Sequence, residues 1–313
     1  MASKKENNRQ GKDSKSKFNI SVSVIIPVYN DEILLRKCLL SLQEQTFPPE
    51  LIEIIVVDNG SDKSPKPVVA EFNNVQLLHE PTPGSYTARN LAIAQAKGEV
   101  WAFIDSDIVA SPDWLKHGVE MLYSQAEVGA VGGKVDFSYQ DELNPSAVEL
   151  YDSLTSFKQK EYIENDHFSG AGNLFSFPKI FQDVGLFNRE LKSGGDREWG
   201  NRVHDAGYPL LYAEKAVVYH PARTSLKEML KKHRRVAGGN AQKLINDGKI
   251  SWGKFIRSQM VEVLIFLRLC KEILFDGKVP LRKMAQVWGI NVLITLLRIL
   301  EPYRVLMGGN PSR

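Results

Sequence analysis

The sequence predicts an α/β protein: a mostly parallel, doubly wound sheet followed by a helical C-terminal extension. Three observations carry this. Between residues 22 and 107, short apolar runs alternate with amphipathic helical patterns, the arrangement of strand–helix–strand units with right-handed crossovers. The acidic triplet Asp105-Ser106-Asp107 stands where one of those runs ends, and open α/β sheets bind ligands outside the carboxyl ends of their strands. From residue 225 onward the pattern is mainly helical.

Val22 to Val28 is apolar apart from Ser23 and Pro27 and reads as the first strand, ending in Tyr29-Asn30. A helix follows from Asp31 to Gln45, with Leu34, Leu35, Cys38, Leu39 and Leu42 at helical spacing. Phe47-Pro48-Pro49 stops it. Ile52 to Val57 is a second buried strand, closed by Asp58-Asn59-Gly60-Ser61-Asp62. Pro65 and Pro67 leave room only for a short helix before a third strand at Val75 to Leu78. Gly84 to Ala96 reads as a helix ended by Gly98, and Val100 to Ile104 as the fourth strand.

Beyond Asp107 the rhythm changes. Helices are expected over Pro112 to Ser124, a long stretch 144–164, Pro178 to Val184 and Asp196 to Ala206. Strands are expected over Val128 to Phe137, Asn173 to Phe177 and within Tyr212 to Tyr219. In the helical remainder, Met260 to Phe275 is apolar but interrupted by Glu262, Arg268, Lys271 and Glu272. Met284 to Leu297 carries no charge, yet is only 14 residues long, short of the 18 or so that a membrane crossing needs. Two readings stand: a hairpin packed on the domain or on another subunit, or an in-plane membrane anchor with its basic residues at headgroup level.

The 313 residues are 43% hydrophobic and 25% charged, ordinary globular values that suffice for a sizeable core. A net charge of +3 is too small to imply nucleic acid, and the basic residues lack interleaved aromatics. Cys38 and Cys270 lie far apart, giving neither metal spacing nor a disulfide framework, so a reducing, cytoplasmic compartment fits. Residues 1–17 are polar and basic with no apolar signal core. They read as a disordered tail or a weak contact for anionic lipid.

Asp105 and Asp107 offer hard oxygen ligands of the kind Mg²⁺ and Mn²⁺ prefer, and such ions are commonly held by one or two carboxylates plus substrate phosphates. The same triplet also makes ordinary turns and helix caps. Tyr29 offers a flat face for a nucleobase, or is a strand-end core aromatic. Asp58 accepts hydrogen bonds from a base or ribose, or caps the turn at Gly60. The donor fork of Arg89 suits a base edge or a diphosphate, or else a surface ion pair.

Val24-Ile25-Ile26-Pro27-Val28-Tyr29-Asn30, Ile55-Val56-Val57-Asp58-Asn59-Gly60-Ser61, Ala88-Arg89-Asn90 and Phe103-Ile104-Asp105-Ser106-Asp107 occur in that order. Together they resemble the nucleotide-sugar half of a family 2 glycosyltransferase with the GT-A fold. The likeness continues through Gly170-Ala171-Gly172-Asn173 and Gly195-Asp196 as far as His220. The resemblance implies a metal-dependent, inverting transferase that takes a nucleotide-diphosphate sugar, by family habit UDP-linked, to a glycan or lipid-linked acceptor. It implies a donor site of Pro27, Tyr29, Asn30, Asp58, Arg89, Asp105 and Ser106. Asp107 would bind Mn²⁺ or Mg²⁺ directly, Asp105 the ribose or a metal-bound water, and His220 would be a third ligand or simply hydrogen-bonded. Asp196 inherits the catalytic base, and also suits a helix cap or first-turn acid. Where the family commonly has Glu before that Asp, this chain has Gly195, and Glu198 is the candidate substitute. Gly172 and Asn173 would lie on the acceptor side.

The implied organisation is a basic tail over 1–20, a catalytic domain over 21–224 and a helical region over 225–313. The domain divides at 110 into nucleotide-binding and acceptor halves. The basic run Lys231-Lys232-His233-Arg234-Arg235 is either a solvated face or a cover for phosphate. The family's processive Gln-x-x-Arg-Trp motif is absent. A nucleotidyltransferase would need a glycine-rich, lysine-bearing loop after strand one, and a dehydrogenase G-x-G-x-x-G; Pro27-Val28-Tyr29-Asn30 stands there instead. A non-catalytic nucleotide-sugar-binding protein is the remaining alternative.

Overall fold

The computed structural model describes residues 19–191, 193–246, 252–275 and 277–309; the tail expected over 1–20 lies outside them but for Asn19 and Ile20. The strands are β1 (Val22–Val28), β2 (Ile52–Asp58), β3 (Val75–His79), β4 (Val100–Ile104), β5 (Val109–Ala110), β6 (Ala130–Ser138), β7 (Asn173–Ser176) and β8 (Leu210–Pro221). Between them run α1 (Glu32–Gln43), α2 (Lys66–Val69), α3 (Ser85–Ile93), α4 (Trp114–Leu122), α5 (Ala147–Thr155), α6 (Gln159–Asp166), α7 (Pro178–Val184) and α8 (Gly195–Asp205). The chain then continues in α9 (Leu226–Asn246), α10 (Trp252–Phe275) and α11 (Leu281–Leu306).

The strands form one sheet in the order β3-β2-β1-β4-β7-β6-β8-β5. β3, β2, β1 and β4 are mutually parallel. β7 enters antiparallel between β4 and β6, and β6 resumes parallel pairing with β8. The sheet is doubly wound because β1 alternates two apolar faces. Val22, Val24, Ile26 and Val28 pack with α1, α2 and α4 on one side. Ile25, with Ile55, Val57 and Phe103, packs with α3, α7 and α8 on the other. Every residue of β1 and β4 is buried, which is why both read as continuous apolar runs.

The long helix expected over 144–164 is two helices. α5 starts with a capping box between Ser146 and Glu149 and stops at Ser156, whose backbone is extended. Phe157 then adopts a left-handed φ of 52°, and α6 restarts two residues later. Local periodicity does not encode this break; tertiary packing does, since the Phe157 ring lies 4.5 Å from that of His220. The two-residue strand β5 was likewise too short to read.

α11 packs on α5, α9 and α10, and Leu150, Tyr151, Leu154, Met229, Leu269, Ile273, Val287 and Ile294 form that seam. At 26 residues it is long and apolar enough to cross a membrane, longer than the uncharged stretch Met284 to Leu297 suggested. The basic run of α9 is partly consumed by packing: Lys232 Nζ lies 2.8 Å from Ser156 Oγ and 3.7 Å from Asp152 Oδ1, and Arg234 lies 3.7 Å from Glu301.

Asp152, 1% exposed, is the acid that the sequence did not reveal. Arg223 donates to it through its backbone N–H and its guanidinium, both at 3.1 Å. Burial alone would raise this carboxyl, but Lys232 and Arg223 hold it below the usual range. Its contribution to stability is therefore full above the unfolded carboxylate value and is lost as pH falls through the lower folded value. Asp152→Asn, which removes the countercharge of the half-buried Arg223 and Lys232, is expected to cost about 1–3 kcal/mol, read as a lowered midpoint in denaturant.

Candidate active site

The carboxyl ends of β1, β2 and β4 open into a cleft of ≈ 610 Å³. Pro27, Val28 and Tyr29 form the β1 wall, and Asp105, Ser106 and Asp107 the β4 wall. Asn59, Gly60 and the loop Pro81 to Ser85 close the third side, and Arg89 enters from α3. Tyr29 is 62% exposed and lines the cleft, so it is not a core aromatic.

Neighbouring strand ends are tied together by side chains. Asn30, at φ 51°, donates to Asp62 Oδ2 (2.9 Å) and accepts from the Asp62 N–H (2.7 Å). Its side chain thus braces the loops after β1 and β2, and the residue does not line the cleft. Asp58 is also turned away. It caps the turn through the Ser61 N–H at 2.9 Å, lies 3.5 Å from His79, and does not line the cleft. Its neighbour Asn59 takes the cleft position instead, binding Glu80 O and Thr82 O and accepting from the Gly84 N–H at 2.7 Å. Asp31, which the sequence reading passed over, lines the cleft while capping α1 through Leu34.

Arg89, 4% exposed, forms an ion pair with Asp105. Its role here is to fix that carboxylate, and its Nε is left without a hydrogen-bond partner. Withdrawal from water pushes the Asp105 carboxyl up, Arg89 opposes this, and the charges of Asp107 and Asp196 push the same way as burial. Gly172 backs the same carboxylate: a Cβ there would stand 2.9 Å from Asp105 Oδ2. That close approach by itself requires a glycine here.

Asp107 faces His220, with Oδ2 3.3 Å from Nε2. Burial would raise the Asp107 carboxyl, but the hydrogen bond and charge of His220 hold it below the usual range. The other ring nitrogen, Nδ1, lies 2.7 Å from Pro221 O. A carbonyl can only accept, so Nδ1 carries the proton and Nε2 is left to point at the carboxylate. With Nε2 protonated, the ring is the charged donor that lowers the Asp107 carboxyl; with Nε2 bare, its lone pair faces an anion, an arrangement that a cation completes. Among the described residues no three acidic, histidine or cysteine side chains form a ready cation cluster, and Asp105 is paired with Arg89. Two protein ligands completed by substrate phosphates is nevertheless the usual manner of holding Mg²⁺, and the donor set fits a divalent ion.

Asp196 stands in the first turn of α8 after the left-handed Gly194. Its Oδ1 accepts from the Tyr86 hydroxyl at 3.2 Å and from the Arg197 N–H at 2.9 Å. Tyr86 was missing from the sequence reading. Burial and the nearby Asp196 charge push its phenol up to about 12, so it remains a donor. Its ring also explains Gly195: a Cβ there would lie 2.7 Å from Tyr86 Cε2, leaving no space for the Glu that commonly precedes this Asp. Tyr86→Phe keeps the ring and removes the hydroxyl. It is expected to lower kcat by roughly tenfold, the equivalent of one hydrogen bond to a charged group, with an unchanged melting temperature.

Two acceptor-side expectations are corrected. Asn173 is 0% exposed. Its amide donates to Lys134 O (2.9 Å) and Ala216 O (3.0 Å), and its oxygen accepts from Trp114 Nε1 (2.8 Å). Both amide hydrogens are used, and the residue pins β7 to β6 and β8. Glu198 is held by Arg202 one turn along, at 2.8 and 3.0 Å. Two residues beyond Asp196, it projects from a different side of the helix and does not assist it.

The glycosyl transferase family 2 profile matches residues 23–184. Glycosyltransferase AglE of Haloferax volcanii is 40% identical over 226 residues, 71% of this chain and 73% of that protein. The Methanococcus voltae dolichyl N-acetyl-alpha-D-glucosaminyl phosphate 3-beta-D-2,3-diacetamido-2,3-dideoxy-beta-D-glucuronosyltransferase is 23% identical, across 67% of this chain and 70% of its own. A mannosyltransferase from Pyrobaculum calidifontis, solved with GDP-Man and Mn²⁺, gives a TM-score of 0.57 at 18% identity. It covers 93% of this chain and 75% of that one, a likeness of fold.

Proposed function

The chain belongs to glycosyl transferase family 2 and is a glycosyltransferase of GT-A fold, and we propose that it transfers one sugar from a nucleoside diphosphate to a hydroxyl of a glycan or lipid-linked acceptor, with inversion. The observation that supports this most is that one cleft is lined by Asp107, paired with His220, and by Asp105, paired with Arg89, with the Asp196 charge near enough to act on Asp105. We assign residues 21–110 to the donor side and 111–224 to the acceptor side.

Tyr29 covers the base, and Asn59 with the loop it braces shapes the nucleoside end. Asp105, fixed by Arg89, meets the ribose. Asp107 and His220 hold Mn²⁺ or Mg²⁺, which when bound supplies Lewis-acid neutralisation of the departing diphosphate. Asp196, aligned by Tyr86, takes the proton of the acceptor hydroxyl as its oxygen forms the bond to the anomeric carbon. The diphosphate leaves from the opposite face, and that in-line geometry inverts the centre.

A lipid-linked acceptor is favoured by the Methanococcus voltae relative, whose name sets a dolichyl-linked sugar phosphate as what it acts on. We place the reaction in glycan or cell-envelope assembly on the cytoplasmic side, in keeping with the free thiols of Cys38 and Cys270. UDP is the nucleotide we assign to the donor. Calorimetric titration with UDP, GDP and dTDP, with and without Mn²⁺, tests this. Tightest binding of UDP, strengthened by the ion, is expected; no nucleotide binding under either condition would refute a donor site here.

A further inference from the structure

α10 and α11 carry apolar side chains that no described residue covers. On α10, Ile256, Met260, Leu264 and Leu267 follow one another every three or four residues and are 56%, 62%, 63% and 56% exposed. On α11, Leu293, Leu296 and Leu300 do the same at 42%, 51% and 61%, and Met307, just past its end, is 82% exposed. Stripes of this kind mark interaction surfaces. The charges indicate the partner. Glu262, Glu272 and Glu301 are neutralised within the protein by Arg298, Arg268 and Arg304. Arg257, Lys271 and Lys278 are exposed and have no salt-bridge partner among the described residues. What α10 presents outward is therefore apolar area beside Arg257 and Lys271, neither of which has a salt-bridge partner among the described residues.

We propose that these helices lie in the plane of an anionic lipid surface. The apolar stripes enter the boundary between headgroups and acyl chains, and Arg257, Lys271 and Lys278 meet lipid phosphates. A transmembrane crossing by α11 is disfavoured, despite its length, by its other side: Val287, Asn291, Ile294 and Glu301 are buried in the protein. A second copy fits less well, since a two-fold contact through the same faces brings like charges together. The inference stands independently of which donor and acceptor the cleft takes.

The test is flotation of the full chain with neutral phosphatidylcholine vesicles and with vesicles that also contain phosphatidylglycerol. Binding to the anionic vesicles is expected, reduced by high salt. Reversing Arg257, Lys271 and Lys278 to Glu should weaken it by more than roughly 100-fold, since loss of the three cations alone removes about 1 kcal/mol each near the surface and the new carboxylates repel it. Leu264→Glu with Leu267→Glu should abolish it at an unchanged melting temperature, since both sites are exposed. Absence of flotation at low salt, or full flotation of the charge-reversed protein, overturns the proposal. So does a vesicle-free dimer that the leucine variants dissociate, which would make a second copy the occupant.

Discussion

Asp196→Asn is expected to lower kcat by about 10²–10⁴-fold, the range for a positioned general base, while nucleotide affinity stays at the wild-type level. The amide is the same size and its oxygen still accepts from the Tyr86 hydroxyl and the Arg197 N–H, the two groups that hold Asp196 Oδ1. What it cannot do is take a proton. Donor affinity is predicted to persist because Asp196 lies outside the lining of the ≈ 610 Å³ cleft. Single-turnover transfer alongside a nucleotide titration separates the two effects. Wild-type turnover in the folded variant would remove Asp196 from the reaction.

Asp107→Ala is expected to have the larger consequence, a loss of roughly 10³-fold or more, because several kcal/mol of charge neutralisation at the leaving group disappear with the ion. His220 would keep its Pro221 contact at 2.7 Å but lose the carboxylate at 3.3 Å. A single imidazole is a poor site for a hard divalent cation. Mn²⁺ should therefore no longer strengthen nucleotide binding. Asp107→Asn provides the control, since it keeps a polar partner for His220 and removes only the negative charge. Mn²⁺-dependent nucleotide binding in both variants would place the cation elsewhere.

Much of this arrangement was legible in the sequence, for identifiable reasons. β1, β2 and β4 are buried on both faces, so their apolar runs are nearly uninterrupted and their ends mark the cleft. Tyr29, Asp105 and Asp107 follow directly from those ends. Side chains whose partners are distant in sequence were not legible. Asn173 is matched to Trp114, Lys134 and Ala216, and from the sequence it is simply a polar residue beside a motif; the turn cap by Asp58 was one of its two readings, and only its contact with His79 was hidden. Tyr86 is the counterpart. Nothing in Gly84 to Asn90 singles it out, yet Gly195 in place of the expected Glu was a sign that another side chain fills that space. The break at Phe157 belongs to the same class, because the ring of His220 makes the left-handed turn worthwhile.

The most direct test of the account is release of nucleoside diphosphate by the purified full chain from a panel of nucleotide sugars, with Mn²⁺ or Mg²⁺ and no added acceptor. Slow hydrolysis of one donor, dependent on the ion and lost in Asp107→Ala, is the predicted result and would identify the sugar. A chain that binds nucleotide but neither hydrolyses any donor nor transfers it to any glycan or lipid-linked acceptor would contradict the account and leave a nucleotide-sugar-binding protein.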